Sequence, residues 1–315
     1  MKVGSSELYN LNVKMRNQIR MLNKKSYYYS RNNLRFYNLD SVVIKELNFL
    51  DFLDSFTKTH SENVAAITLS ICEYLNASKD FAKACTICAY LHDIGKTGIP
   101  AKILQKQGAL SDEEFEIVKK HTKIGYDICT KEPSLRPYAR GVKHHHENLD
   151  GTGYPDGLKK KDIPLEAQII KVADEYDALV SKRQYKSHVD ISETIQILAD
   201  KVKSRKMNKT VLKALVQVIN DDIIIEIDQL CGYVKTLKEQ VSALAKYEKI
   251  IKDENKSTLF GKKRLEMKKA ELSQEDKAIL DYVNNLDTIR KIIKDREALI
   301  NALNKELKLI KNISF

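Results

Sequence analysis

The spacing of apolar residues predicts a chain built almost entirely of helices. From Ile44 to Leu75, apolar residues recur at intervals of three and four, which is the period of an amphipathic helix. Residues 81–91 are apolar on most faces, so the helix that they predict is expected to be buried. No stretch alternates between apolar and polar residues as a strand does. We therefore expect an all-α fold.

Capping residues and loop composition place further helices in the middle of the chain. Ser111 followed three residues later by Glu114 predicts a capping box, and the helix that it opens is expected to reach about Cys129. The loop over 148–161 is rich in Gly, Asp and Pro, which marks a break between helices. Before that loop, a helix is expected from Tyr138 into the run His144-His145-His146-Glu147, and after it 163–180 is expected to begin another helix.

Two heptad-like seams lie in the last third of the chain. One runs from Val234 to Leu244 and the other from Ile279 to Ile310. An antiparallel helical hairpin or a dimerising coiled coil would bury both seams, and so would two helices packed on the preceding domain. The spacing does not choose among these arrangements. A homodimer or a protein partner bound through 230–315 is therefore an open prediction.

Proline and glycine divide the chain unevenly. All five prolines fall between Pro100 and Pro164, and only two glycines follow Pro164. The middle is therefore expected to be a domain with functional loops, and the last third to be nearly continuous helix. We predict a basic arm over 1–44, a loop-bearing domain over 45–200 and a helical extension with a coiled-coil-like hairpin over 201–315.

The net charge of +11 is concentrated at the start of the chain. Residues 1–40 hold eight Lys/Arg and two Asp/Glu, which accounts for six of these charges. A solvated basic arm explains this best, and contact with anionic lipid or an acidic partner is the alternative. Tyr27, Tyr28 and Tyr29 near Arg31 would suit base stacking, but nothing else supports a nucleic-acid partner, so we expect none.

Cysteine usage and hydropathy indicate a cytoplasmic protein. No apolar run approaches the roughly 18 residues of a membrane span, and no signal-peptide core is present. The five cysteines are odd in number and lie in apolar surroundings, which predicts reduced, buried thiols. Cys85 and Cys88 are three apart, but the second pair that a zinc site would need is missing.

The run from His92 to Lys96 carries the clearest chemistry. An imidazole and a carboxylate are both good ligands for borderline divalent metals, and the carboxylate of Asp93 could bridge two of them. Gly95 is expected to turn the chain out of the helix in a backbone conformation that other residues resist. Lys96 would bring a positive charge close to the metals, where a phosphate would lie.

Histidines are scarce, and most of them fall in one region. The chain has seven, and five of them accompany two aspartates there. This set is His60, His92, His121, His145 and His146 with Asp93 and Asp174. A lone histidine on an apolar face is usually a packed core residue, but burying seven such groups without partners would cost on the order of several kcal/mol. Metal coordination satisfies them together, and a donor set without thiolate suits Fe, Mn or Zn.

Five motifs then occur in a fixed order. They are His92-Asp93-Ile94-Gly95-Lys96, His121-x-x-x-Gly125, His145-His146-Glu147-x-x-Asp150-Gly151-x-Gly153-Tyr154-Pro155, Val172-Ala173-Asp174-x-x-Asp177-Ala178 and Arg183-x-Tyr185-Lys186. Over about 45–200 the chain resembles the HD-GYP subgroup of the HD phosphohydrolases. The resemblance implies an HD-type helical bundle with a dinuclear metal site. It also implies a metal-dependent phosphodiesterase that opens cyclic di-GMP to linear pGpG, in some members followed by GMP.

The resemblance also implies a role for each residue of these motifs. One metal would be held by His60, His92, Asp93 and Asp174, and a second by Asp93, His121, His145 and His146. The reaction would depend on His92, Asp93 and Lys96. Substrate contacts would come from Lys96, Gly153, Tyr154, Pro155, Arg183 and Lys186. The two divalent ions are expected to be Fe or Mn, and the partner to be cyclic di-GMP.

Some positions qualify this pattern. Phe56 stands where some members carry a Glu that helps to bind a third metal, so we expect two metals and pGpG as the main product. His144 and His188 are expected to bind no metal, and Lys186 replaces a commoner Arg, which weakens its grip on phosphate. The acidic residues expected to support ligands or shape the loop are Glu147, Asp150 and Asp177.

Other functions remain open at this point. Family members that have lost ligands serve as sensors or adaptors, and here such a role would act through the helical tail. Every ligand position is filled, which favours an enzyme. A mixed cyclic GMP-AMP, or another nucleotide such as a dNTP or a guanosine alarmone, could replace cyclic di-GMP as substrate. The Gly153-Tyr154-Pro155 loop favours a cyclic dinucleotide.

Overall fold

The computed structural model describes residues 55–106, 108–183, 191–256 and 285–315. All regular elements in these ranges are helical, and the β pairing within them is an isolated bridge between Asp150 and Lys159. The predicted all-α fold is confirmed. The basic arm over 1–44 lies outside the described residues.

In the described residues up to 203 there are eight helices. They are α1 Ser55–Tyr74, α2 Lys79–Leu91, α3 Ala101–Leu104, α4 Asp112–Lys119, α5 His121–Lys131, α6 Ala139–His144, α7 Leu165–Arg183 and α8 Ile191–Lys203. Two 3-10 turns lie between them, Ile94–Gly98 and Arg136–Tyr138. The described residues after 203 form two long helices, α9 Lys209–Lys256 and α10 Leu286–Lys311.

Side-chain caps explain where α2 and α4 begin. The Ser78 hydroxyl accepts a hydrogen bond from the backbone N–H of Phe81, which satisfies one of the free donors at the start of α2. At α4 the predicted capping box is confirmed, because the side chains of Ser111 and Glu114 each accept a bond from the other's backbone N–H. The helix that opens at Ser111 therefore has a well-defined start.

The helix predicted from Ser111 to about Cys129 is in fact two helices. The chain tightens at Lys120, whose N–H bonds to the carbonyls of Ile117 and Val118, and α5 begins at His121. A tightened last turn of this kind is how helices commonly end, and apolar spacing does not reveal it. The break places His121 in the first turn of α5.

Helix α7 lies at the centre of the domain that these elements form. It packs against α1, α2, α6 and α8, and α5 packs against α6 and the first 3-10 turn. Several of its apolar side chains are fully buried, together with partners from α1, α2 and α8. The largest of them are Leu69, Ile71, Leu91, Ile169, Ile170, Ile195 and Leu198. This packing brings the ends of α2 and α6 beside the middle of α7.

The thiol prediction is correct for four cysteines and wrong for the fifth. All five are free, and Cys72, Cys85, Cys88 and Cys129 are buried. Cys231 is exposed, because it lies on the outer side of α9 although its neighbours in sequence are apolar. Apolar neighbours in a helix do not bury a residue when its own face points to solvent.

Gly95 is needed for a different reason from the predicted one. Its φ angle is not positive, so the backbone there is one that other residues can adopt. A Cβ atom at this position would lie 1.9 Å from the carbonyl oxygen of His121. The absent side chain therefore permits close contact between the first 3-10 turn and α5.

The described residues form two compact units. One comprises residues up to 222 together with 306–315, and the other comprises 223–305. In the second unit, α9 and α10 pack through a cluster of Tyr233, Val234, Leu237, Ile289 and Ile293. Parts of the two predicted seams are thus buried against each other within one chain. The predicted division at 44/45 and 200/201 stays a prediction.

None of the described helices is both long enough and apolar enough to cross a membrane.

Candidate metal centre

The seven residues predicted to bind metal come together beside the middle of α7. They lie on α1, at the end of α2, at the start of α5, at and just after the end of α6, and on α7. Within the described chain, their donor atoms form three overlapping groups in which all atoms lie within 4.8 Å of one another. The groups are His121, His145 and His146; His60, His92 and Asp174; and His92, Asp93 and His145.

Three of the histidines are oriented by backbone carbonyls. In His92, His121 and His145, Nδ1 lies 2.7 Å from the carbonyl oxygen of the residue three positions earlier. A carbonyl oxygen only accepts hydrogen bonds, so Nδ1 carries the proton and Nε2 presents a bare lone pair. Fixing the ring through its other nitrogen is how proteins prepare histidines for metals.

These bare nitrogens face one another in the protein interior. Nε2 of His121 lies 3.3 Å from Nε2 of His145, and two lone pairs at that distance repel unless a cation lies near them. Nε2 of His92 is buried and makes no hydrogen bond, and the nearest carboxylate oxygen is 3.3 Å away on Asp93. The donor set therefore fits divalent metal ions.

Asp93 lies between the two sides of this cluster. Its Oδ1 is 3.5 Å from Nε2 of His121, and its Oδ2 is 3.3 Å from Nε2 of His92. Lys96 donates to Oδ2 at 2.6 Å. Burial alone would raise the pKa of Asp93, but the positive charge of Lys96 outweighs it and helps to hold the pKa well below its usual range. Asp93 is therefore an anion with one oxygen toward each side.

His60 is held between two carboxylates of α7. Its Nε2 lies 3.0 Å from Oδ1 of Asp174, and its Nδ1 lies 2.6 Å from Oδ2 of Asp177. Burial lowers the pKa of His60, but these two hydrogen bonds outweigh it and raise the pKa to about 10. Asn63 donates to the other oxygen of Asp177 at 3.1 Å. Asp177 thus orients the His60 ring through Nδ1, while Nε2 faces Asp174.

The consecutive histidines at the end of α6 have different environments. Both ring nitrogens of His144 bond to groups outside the cluster. Nδ1 bonds to the carbonyl of Arg140, and Nε2 bonds to Asp156 at 3.0 Å. His145 and His146 face inward, and burial lowers the pKa of His146 to about 3. The expectation that His144 binds no metal stays a prediction.

The loop after His146 is fastened by Glu147. This side chain is buried, and its two oxygens accept the backbone N–H groups of Asp156 and Leu158 at 2.8 and 3.0 Å. At Gly153 a Cβ would lie 2.2 Å from a backbone nitrogen, so the loop packs tightly on itself. Tyr154 stacks on His146 with ring centroids 4.8 Å apart. Tyr154 therefore borders the cluster.

The remaining predicted residues are described only in part. Arg183 is the last residue of α7, but its side chain lies outside the described part, as do Lys186 and His188. The side chain of Phe56 also lies outside it, so the expectation of two metals rather than three stays a prediction.

Sequence reasoning missed Asn63 and the carbonyls that orient the rings. Asn63 lies three residues after His60, on the same face of α1, and that spacing was a usable indication. The carbonyls could not be found in this way, because each residue has one whatever its side chain.

A family model described as the HD domain matches residues 46–211, which is more than half of the chain. The chain belongs to the HD domain family, and the predicted HD-type helical fold is confirmed. Within that family, its motifs fit the HD-GYP subgroup.

Curated relatives match the same region. The chain is 41% identical over 177 residues to a cyclic di-GMP phosphodiesterase of Thermotoga maritima, covering 54% of this chain and 48% of the relative. It is 37% identical over 139 residues to the cyclic di-GMP phosphodiesterase response regulator RpfG of Xanthomonas campestris, covering 44% and 37%. It is 35% identical over 162 residues to the 3'3'-cGAMP-specific phosphodiesterase 3 of Vibrio cholerae, covering 51% and 35%. The chain spans about half or less of the length of these relatives.

Proposed function

We propose that this chain is a metal-dependent phosphodiesterase that hydrolyses cyclic di-GMP to linear pGpG and so lowers a second-messenger signal. The position of Asp93 carries the proposal, because each oxygen of one buried anion faces a different group of histidines. The names of the Thermotoga and Xanthomonas relatives support the substrate.

The proposed cofactors are two divalent ions, Fe or Mn. One would be held by His60, His92, Asp93 and Asp174, and the other by Asp93, His121, His145 and His146. When bound, such a pair supplies a polarised phosphate and an activated water. The absence of thiolate among these donors supports Fe or Mn over softer metals.

The other residues of the site bind and position the substrate. Lys96 is partly exposed beside Asp93, where its charge would stabilise the negative charge that develops on a phosphate oxygen. The loop of Gly153, Tyr154 and Pro155 would border the substrate, and Arg183 and Lys186 would hold its phosphates. Phe56 in place of a metal-binding Glu favours pGpG as the final product.

The second candidate substrate is 3'3'-cGAMP. The Vibrio relative named for it has 35% identity, close to the values of the cyclic di-GMP relatives. The two dinucleotides differ in one base, so the metal centre and Lys96 would act on both alike. A direct comparison of the two substrates decides between them.

The test is turnover by the purified chain. We expect wild-type protein, loaded anaerobically with Mn or Fe, to convert cyclic di-GMP to pGpG. Chromatography identifies the products. His92→Ala and Asp93→Ala should be inactive, while Tyr74→Ala, an exposed tyrosine at the far end of α1, should retain activity. If 3'3'-cGAMP is turned over faster than cyclic di-GMP, it replaces cyclic di-GMP as the proposed substrate.

Two other outcomes would contradict the proposed hydrolysis of cyclic di-GMP. Tight binding of cyclic di-GMP without turnover under either metal would indicate a sensor that acts through its helical extension. Absence of both binding and turnover would exclude the dinucleotide and favour another phosphoester. The partner expected through 230–315 is a separate proposal, tested by measuring the mass of the chain in solution.

A further inference from the structure

A chain of aromatic rings leads outward from the metal cluster. Tyr154 stacks on His146 with an angle of 29° between the rings. On its other side, Tyr154 meets Phe115 edge to face, with ring centroids 6.3 Å apart. The rings therefore connect a half-buried histidine that is predicted to bind metal with the protein surface through one intermediate.

Phe115 is unusually exposed for a residue of this type. It is 44% exposed, and no residue of its helix α4 is buried. A large apolar side chain gains free energy when it is covered, by about 25 cal/mol for each Å² removed from water. A single exposed ring needs no explanation on its own, but this one adjoins the site.

Lys119 brings a positive charge to the same place. It lies one turn after Phe115 on α4, and its Nζ is 4.9 Å from the Phe115 centroid and 5.6 Å from that of Tyr154. The ammonium group also contacts Glu116. A cation over aromatic rings holds them in place and attracts anionic ligands.

Helix α4 is fixed relative to the metal cluster. At its end, the carbonyl of Val118 accepts the Nδ1–H of His121. At its start, the capping box of Ser111 and Glu114 is joined by Lys106, which pairs with Glu114. Phe115 is therefore held at a defined distance from the residues predicted to bind metal.

From this arrangement we propose that Phe115, supported by Lys119 and Tyr154, is a stacking platform for one purine base of the substrate. The inference rests on the proposed function and adds a specificity residue to it. A cyclic dinucleotide extends beyond its reacting phosphate and carries flat bases, whereas a small phosphodiester does not. A flat apolar ring beside a positive charge suits a base attached to an anionic backbone.

The kinetic test compares two substrates. Phe115→Ala should lower kcat/KM for cyclic di-GMP roughly tenfold, mainly through KM, since removing an aromatic ring costs about that much per stacked base. Turnover of bis(p-nitrophenyl) phosphate, which reaches only the metal centre, should not change. Tyr74→Ala removes an equally exposed aromatic ring far from the site and should change neither.

A direct reporter of stacking is available because the chain contains no tryptophan. Phe115→Trp should restore the kinetics of the wild type. In metal-loaded protein, its fluorescence should be quenched on rapid mixing with cyclic di-GMP, before the substrate is turned over. Tyr74→Trp places a single tryptophan on the same domain away from the site and should show no quenching.

The outcomes separate this inference from the proposed function. If the wild type hydrolyses cyclic di-GMP but Phe115→Ala keeps its kcat/KM and Phe115→Trp shows no quenching, the platform is wrong and the proposed function stands. Equal losses on both substrates would also overturn the platform, because they indicate a structural role. If cyclic di-GMP is neither bound nor hydrolysed by the wild type, both proposals fail.

Discussion

Each of three histidines in the metal centre depends on a backbone carbonyl for its orientation. Because the carbonyl that accepts the Nδ1–H bond is three residues back in the same turn of chain, the ring direction is set locally. The lone pairs of His121 and His145 are then forced together at 3.3 Å by the packing of α5 against α6. Local chemistry prepares each ligand, and helix packing brings the ligands to one point.

The neighbouring residues His144 and His145 provide a matched pair of substitutions. His145→Ala should remove bound metal and lower turnover more than about 100-fold, since even indirect partners of metal ligands cost 10–100-fold when removed. His144→Ala should retain the metal, because both nitrogens of His144 bond elsewhere, to Arg140 and Asp156. Elemental analysis and turnover measure both effects. If His144→Ala lost its metal and His145→Ala kept it, the metal ligand would be His144 and not His145.

At the scale of elements, the contact between the first 3-10 turn and α5 decides the site's geometry. The turn begins directly after Asp93, and α5 begins with His121. Gly95 lies against the backbone of α5 so closely that no side chain fits. The distance between Asp93 and His121 therefore depends on a glycine that binds nothing.

Two glycines of this turn give a second matched pair. At Gly95 an added Cβ would meet the backbone of His121 at 1.9 Å, whereas at Gly98 it would meet the flexible side chain of Ile124 at 3.0 Å. Gly95→Ala should reduce the free energy of unfolding by roughly 3 kcal/mol and reduce metal content, and Gly98→Ala by about 1 kcal/mol or less. Urea unfolding and metal analysis measure this. Similar effects of both variants would contradict the account.

At the scale of the whole molecule, the last ten residues belong to the unit that holds the metal centre. Glu306 of α10 accepts the backbone N–H of Ser192 at 2.9 Å, at the start of α8, and Ile310 is buried. A carboxylate at a helix start satisfies a free donor and complements the helix dipole. The terminal turns of α10 therefore contribute to the stability of this unit.

Glu306→Ala should lower stability by about 1 kcal/mol, which is typical for loss of a helix cap, and should speed hydrogen exchange at the first amides of α8. Ending the chain at Lys305 should have a larger effect, because Ile310 is lost as well. Glu297→Ala breaks an exposed ion pair with Lys238 and should cost about 0.5 kcal/mol or less. Unchanged exchange at α8 in Glu306→Ala would contradict the role.

The helices and the site residues were predictable to different extents. Apolar period and capping residues predicted α2, α7 and the start of α4 closely, because such signals are local. The break at Lys120 was missed, because a tightened turn leaves the apolar pattern unchanged. The exposure of Cys231 was missed, because burial depends on which face of α9 is covered.

The sequence by itself determined the helical class, the scarcity and grouping of histidines, and the motifs that indicate the HD-GYP subgroup. Only the tertiary structure decided which oxygen of Asp93 faces which histidine, why Gly95 must lack a side chain, and that Phe115 lies beside Tyr154. The physical reason is that residue types and their spacing set local chemistry and helix period. Distances between side chains far apart in the chain arise only when the helices pack.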